Sequence, residues 1–379
     1  MSKVVSVVTV IFLALIMCLG CIRQPATLPS SPQEPDTSSS LDVSVLAEGL
    51  DTPWAIDFAP DGRIFVTERP GRIRIVQEGS LQTQPWFTLE AVESGESGLL
   101  GLVLDPQFAQ NGFVYTAYTY RTTNGSFQNR LVRLRDVPAD GKGIVDKILM
   151  DDIAGAANHD GGRVKFGADA KLYWTTGDAQ NSALAQDLSS LNGKILRLNP
   201  DGSIPADNPF TGSPVYSYGH RNPQGLAWQP DTGRLYSTEH GPSGIPGGRD
   251  ELNYIEPGKN YGWPIITGEE TRSGMVSPIL QSNTSETWAP GGATFVTQGY
   301  WSGSLLFVGL RGQSLYRVTL DSTDPRKVLT FERLFTGRFG RLRDVAQGPD
   351  GAIYILTSNR DGRGQPSAGD DKILRLVVR

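Results

Sequence analysis

One pattern returns six times along this chain: an apolar strand, a turn of the Pro-Asp-Gly kind, then a second strand rich in Tyr, Phe, Ile and Val. The copies are WAIDFAPDGRIFVTE from Trp54, LLGLVLDPQFAQNGFVYTAY from Leu99, GRVKFGADAKLYWTTGD from Gly162, GLAWQPDTGRLYSTEHG from Gly225, GATFVTQGYWSGSLLFVGLRG from Gly292 and LRDVAQGPDGAIYILTSN from Leu342. Their starts lie about 45 to 70 residues apart, the spacing of propeller blades with loops of unequal length. Further strands end several units, as in GRIRIV (71–76), RLVRLR (130–135), KILRLN (194–199), SLYRVTL (314–320) and KILRLVV (372–378). Their alternation of apolar with basic or polar residues suits sheets buried on one side or near an edge. No helical periodicity separates the strands, which disfavours a parallel α/β fold. The expectation is an all-β, six-bladed β-propeller over residues 41–379. The early strand LDVSVLAEGL (41–50) is expected to pair with the last blade and close the ring, removing exposed edges.

A propeller sorts its loops. The loop before each first strand and the loop after each second strand open on one face, and the Pro-Asp-Gly turns lie on the other. This rule collects Glu96, His159, Arg221, Asn222, Arg341 and Arg343 on one face, with loops 239–244 and 310–313. The net charge of -5 over 379 residues gives no basic footprint for nucleic acid, so a small, localised ligand is the better expectation.

The first 21 residues read as an export signal, with Lys3 ahead of an apolar run at 4–17 and Cys18-Leu19-Gly20-Cys21 resembling a lipoprotein cleavage box. Lipidation of Cys21 would give an exported, periplasmic or cell-surface lipoprotein; the alternatives are an uncleaved anchor or secretion. Both cysteines fall in this segment, leaving the domain without a disulfide or a thiolate metal site. Residues 22–40, rich in Pro, Ser and Thr, read as a flexible tether.

The chain's three histidines, His159 in NHDGGR, His220 in GHRNPQG and His240 in EHGPSG, all fall in loops on the sorted face. A single loop histidine is more often a solvated or structural residue than a catalyst. Three on one face shift that balance, because imidazole accepts a proton near neutral pH and the neighbouring glycines permit close approach to a ligand. His159 is the best candidate base. Arg221, Arg311, Arg341 and Arg343 gather at the same rim; any one of them suits ordinary ion pairing, but together they suit a polycarboxylate. The long loop 239–264 carries carboxylates and sharp turns, and carbonyls around Gly241-Pro242 suit a hard cation such as calcium.

These segments match a family. NHDGGR, YGHRNPQGLAW, EHGP followed by GGRDELN and GKNYGWP, and RLRDVAQGPDG resemble the signatures of soluble pyrroloquinoline quinone (PQQ)-dependent sugar dehydrogenases, the glucose/sorbosone dehydrogenase family. The resemblance spans about residues 41–379, and the compact loops look more like its aldose sugar dehydrogenase branch. It implies the cofactors PQQ and Ca2+, an aldose substrate and an external electron acceptor, either a quinone or a cytochrome. By similarity His159 is the general base at the anomeric hydroxyl, and Arg221 stabilises charge developing on the reduced cofactor. Asn222, Arg341 and Arg343 would hold PQQ, with Arg311 standing where relatives use Lys. The carbonyls of Gly241 and Pro242 would bind the cofactor-linked calcium, and Glu251 and Tyr261 a further one. Glu96 stands where relatives often carry a cofactor-contacting Gln; an acid beside an anionic cofactor needs a proton, a cation or an arginine partner. Asn158 replaces an Asp found before the base in the glucose branch. The competing readings are a surface propeller kept as a binding module without turnover, and a metal-dependent lactonase-type propeller.

Overall fold

The computed structural model describes residues 40–137, 139–242 and 247–379. The export segment with Cys18 and Cys21, the tether up to residue 39, and residues 243–246 of the long loop lie outside the described residues.

Six antiparallel sheets follow one another along the chain. Their innermost strands are Pro53–Phe58, Leu99–Leu104, Val164–Phe166, Pro223–Trp228, Pro290–Phe295 and Leu342–Gln347, one for each repeat read from the sequence. The second strands are Ile64–Glu68, Phe113–Arg121, Leu172–Thr176, Leu235–Glu239, Leu305–Gly309 and Ile353–Thr357. Strand Leu41–Ala47 pairs antiparallel with Ile373–Val378, Leu41 opposite Val378 and Ala47 opposite Ile373. The first strand of the domain therefore completes the sixth blade, and the ring closes as the sequence implies.

The core is divided among the gaps between blades, and the two-residue period of a strand does the dividing. In Leu305–Gly309, Leu305 and Phe307 pack toward the fourth blade while Leu306 and Val308 pack toward the sixth. In the third blade, Trp174 and Leu196 face the second blade, and Tyr173 and Ile195 face the fourth. Six apolar clusters result, one at each junction between neighbouring blades.

One sequence expectation needs correction here. Strand Lys194–Leu198 is buried along its whole length rather than on one side. Its basic residues tolerate this because each is satisfied locally. Lys194 Nζ donates to the carbonyls of Leu184, Ala185 and Asn192, and the Arg197 guanidinium pairs with Asp169 and Asp207.

Candidate active site

A cavity of about 530 Å3 opens where the expected loops converge. Its wall includes His159, Glu96 and the four arginines singled out from the sequence, Arg221, Arg311, Arg341 and Arg343, together with Gly241 and Pro242. Segments as far apart in the chain as those of Glu96 and Arg343 thus meet at one mouth. Asn222, Glu251 and Tyr261 do not line it.

His159 sits in a tightly specified loop. Its backbone is left-handed, with φ +68°, a conformation uncommon for residues other than glycine and often found at functional sites. Three neighbours hold it there. The Glu96 backbone N–H donates to the Ala157 carbonyl at 2.6 Å, Gly161 N–H donates to Asn222 Oδ1 at 3.0 Å, and Ala179 N–H donates to the His159 carbonyl at 3.1 Å. Gly177 is required beneath the loop, because a Cβ at that position would overlap the His159 carbonyl oxygen.

The imidazole is oriented by a residue the sequence reading did not select. His159 Nδ1 lies 2.8 Å from Asp178 Oδ1. The Asp178 carboxylate also accepts the Trp263 indole N–H at 2.8 Å and the Gln180 backbone N–H at 2.9 Å. An ionised carboxylate only accepts, so the bond places the proton on Nδ1 and leaves Nε2 with its lone pair free to act as a base. A signal for Asp178 was present: it follows the second strand Leu172–Thr176, in a loop that the blade rule assigns to this face.

The other two histidines take supporting roles. His220 is fully buried, bonded to Ser217 Oγ and to Glu239 at 2.8 Å each, and stacked on Tyr261. His240 lines the cavity, but its Nε2 donates to the Pro290 carbonyl at 3.0 Å, and burial pushes its pKa down to about 4, so it is neutral at pH 7. Of the three, His159 alone combines a cavity position with a carboxylate-oriented ring.

Positive charge dominates the wall, with five arginines, including Arg363, against the carboxylates of Glu96 and Asp250. Asp250 is tied down by backbone N–H groups of Gly241, Trp288 and Ala289. Arg341 is gripped by Asp361 through Nε at 2.8 Å and Nη2 at 2.7 Å. Arg221 lies with its guanidinium 5.3 Å from the Trp263 ring and Nη1 3.4 Å from the His240 carbonyl oxygen. Arg343 donates through Nη1 to Gln224 at 2.7 Å, and its buried Nε has no protein partner among the described residues. Burial lowers the Arg343 pKa to about 9, so the guanidinium remains charged at neutral pH but is short of an anion.

Glu96 has the partner its chemistry requires. Its Oε1 accepts from Arg363 Nη1 at 2.6 Å, and its Oε2 accepts from Asn222 Nδ2 at 3.2 Å and from the His159 backbone N–H at 3.4 Å. Burial alone would raise its pKa, but the facing Arg363 guanidinium, bonded to Oε1, holds it below the usual carboxylate range. Asn222 therefore supports the His159 loop from below, with its amide committed to Gly161 and Glu96 instead of facing the cavity.

Glu251 and Tyr261 belong to a separate place. Glu251 opens strand Glu251–Ile255 opposite Glu239 on one side and Gln281 on the other. Burial and the Glu239 charge push its pKa up to about 8. It accepts from Asn253 Nδ2 and Gly268 N–H, both at 3.0 Å. Asn253 Oδ1 and Gln281 Oε1 are buried there without a donor among the described residues. The Tyr261 hydroxyl is occupied, donating to the Tyr254 carbonyl at 2.7 Å and accepting the Glu256 N–H at 2.8 Å. Only its backbone, not its side chain, is suited to serve as a ligand.

Comparison with known proteins places the chain in a family. Residues 50–375 match the family model described as Glucose / Sorbosone dehydrogenase. The aldose sugar dehydrogenase YliI of Escherichia coli (strain K12) is 33% identical over 347 residues, covering 86% of this chain and 92% of that protein. The PQQ-bound aldose sugar dehydrogenase of Streptomyces coelicolor superposes with a TM-score of 0.81 at 38% identity, covering 92% of this chain and all of that one. A Thermus thermophilus protein, provisionally named an oxidoreductase (glucose dehydrogenase), superposes with a TM-score of 0.82 at 46% identity, over 89% of this chain and all of that one. With the family model spanning nearly the whole propeller, this chain belongs to the glucose/sorbosone dehydrogenase family.

Proposed function

We propose that this chain is a quinoprotein aldose sugar dehydrogenase, oxidising an aldose at the anomeric carbon to its lactone with PQQ and Ca2+ as cofactors. The observation that carries this reading is His159, fixed by Asp178 at 2.8 Å and facing a cavity walled by arginines. PQQ is a flat quinone bearing three carboxylates, and the donor set suits it. Arg311, Arg341 and Arg343 would hold its carboxylates, and the buried, unpartnered Nε of Arg343 is the kind of donor such a ligand satisfies. The cavity volume lies within the usual range of cofactor pockets. When bound, PQQ supplies the hydride acceptor.

The chain's own residues do the rest. His159 Nε2 takes the proton of the anomeric hydroxyl as the C1 hydride departs, and Asp178 stabilises the resulting imidazolium. Arg221 presents a buried positive charge at the wall where negative charge accumulates in the reaction. The burial of Arg221, Arg341 and Arg343 leaves their charges less screened by water than they would be at an exposed surface.

Calcium suits two places. The backbone around Gly241 and Pro242, beside Asp250, offers oxygens at the cofactor cavity. Glu251, with the unpartnered amide oxygens of Asn253 and Gln281, forms an all-oxygen set suited to a hard cation, with the Tyr261 carbonyl as a further candidate. Replacing Glu251 by Gln is expected to remove one bound calcium per chain by metal analysis while PQQ still binds. An unchanged calcium count would remove Glu251 from the ligand set.

Export and attachment through a lipidated Cys21 complete the proposal, as does reoxidation by an external acceptor, either a quinone or a cytochrome. The direct test of the cofactor reading is titration of PQQ into calcium-loaded apoprotein. Saturable binding of one PQQ per chain is expected; no binding would rule the reading out.

A further inference from the structure

The positive partner of Glu96 is a residue that no sequence motif singled out. Arg363 lies in the connection between Ile353–Thr357 and Ile373–Val378 of the sixth blade. Its guanidinium reaches across the cavity mouth and divides its two ends between two other blades. Nη1 donates to Glu96 Oε1 at 2.6 Å and Nη2 donates to Asn158 Oδ1 at 2.7 Å. Glu96 lies on the segment entering the second blade, and Asn158 on the segment entering the third. Arg363 also borders a neighbouring cavity of about 460 Å3, so its side chain forms part of the partition between the two spaces.

We infer that Arg363 is a positioning residue for the reaction: by bridging Glu96 and Asn158 it locks the loop that carries His159 and offsets the Glu96 charge beside the cofactor cavity. This inference rests on the PQQ reading above. Three connections support it. The Glu96 oxygen not held by Arg363 accepts the His159 backbone N–H and the Asn222 amide, so the pair is linked directly to the base. Asn158 adjoins His159, so the second arm of the guanidinium grips the same loop. A carboxylate facing the place of a tricarboxylate ligand repels it unless a cation is bound to it, and Arg363 is the cation in contact.

Exposed ion pairs usually contribute little. Here the arginine is half exposed, but the Glu96 side chain retains only 15% of its accessibility, and both its oxygens are committed. That asymmetry makes removal of the arginine more damaging than removal of both charges together.

The test compares full-length, calcium-loaded wild type with Arg363→Gln, Arg363→Lys, Glu96→Gln and the double variant Glu96→Gln/Arg363→Gln. Three quantities are measured: the PQQ dissociation constant, kcat and the aldose KM. Arg363→Gln is expected to weaken PQQ binding about tenfold and to lower kcat more than it raises KM. The lysine variant should regain most of the loss. The double variant should bind PQQ several-fold more tightly than Arg363→Gln, a gain larger than Glu96→Gln produces in the wild-type background, the signature of coupled sites in a double-mutant cycle. Arg363→Gln binding PQQ like wild type, a double variant no better than Arg363→Gln, or an effect confined to the aldose KM would each overturn the inference. Thermal unfolding of each variant separates a folding defect from a positioning one, and the lysine variant preserves the test if Arg363→Gln does not fold. Failure of wild type itself to bind PQQ would overturn the cofactor reading instead, before any variant is compared.

Discussion

Replacing His159 by alanine is expected to lower kcat by about 10²–10⁴, the usual contribution of a positioned general base. Cofactor binding should largely persist, because the anion-holding groups are the arginines rather than the imidazole. Asp178→Asn should lower kcat in the same direction while leaving His159 in place. An asparagine amide can donate to Nδ1 as readily as accept from it, which favours the tautomer with its proton on Nε2, where it cannot act as a base. The measurement is steady-state dye reduction by PQQ-saturated enzymes, with unfolding temperatures recorded in parallel. Activity of His159→Ala close to wild type would exclude His159 as the base. Full activity of Asp178→Asn would show that the 2.8 Å contact does not set the tautomer.

The second large effect concerns affinity. Arg343 is almost fully buried, and burial holds its pKa near 9, well below the usual arginine value. A guanidinium in that state gains more from a bound carboxylate than an exposed one would. Arg343→Met preserves much of the side-chain volume packed near the Trp54 ring, from which the guanidinium lies 5.7 Å away. The variant is expected to raise the PQQ dissociation constant by about 10²-fold, in keeping with the loss of one member of a buried charge pair. At saturating PQQ, kcat should recover in large part, because Arg343 is assigned to holding the cofactor and not to the proton. Arg311, exposed at the rim of the same cavity, should matter less. An unchanged dissociation constant for Arg343→Met would remove it from the cofactor contacts.

The ring and its functional face were legible in the sequence because both follow from a periodic feature. Six repeats fix six blades, and the order of strands within each blade fixes where every loop emerges. That is why His159, Arg221, Arg341 and Arg343 fall on one cavity wall despite their separation in sequence. What the repeats do not encode is which side chains touch across blades. Asp178 and Arg363 both follow second strands, so the blade rule already placed them on the correct face. Their roles depend on contacts 19 and 267 residues away, which no local pattern reports. Asn222 shows the converse. The resemblance gives it a cofactor contact, and its amide bonds to Gly161 and Glu96 beneath the base, contacts that neither motif nor repeat reports. Burial was misjudged for a similar reason. Lys194 and Arg197 look like the exposed face of an alternating strand until local carbonyls and carboxylates are seen to satisfy them.

Glu96, which the family resemblance marks as a departure, also has a physical account. Its charge is matched by Arg363, and its second oxygen holds the His159 loop. The acid thus has a compensating partner on the sixth blade, with one blade between them round the ring.

Oxidation of an aldose at this cavity through a bound quinone has a direct readout in its product. The decisive experiment is product analysis of wild-type apoprotein reconstituted with PQQ and calcium, supplied with an aldose and an artificial electron acceptor. Lactone is expected in proportion to the acceptor reduced, and only with added PQQ. Bound PQQ with no aldose-dependent reduction of the acceptor would contradict aldose oxidation at this cavity and leave the propeller a binding module.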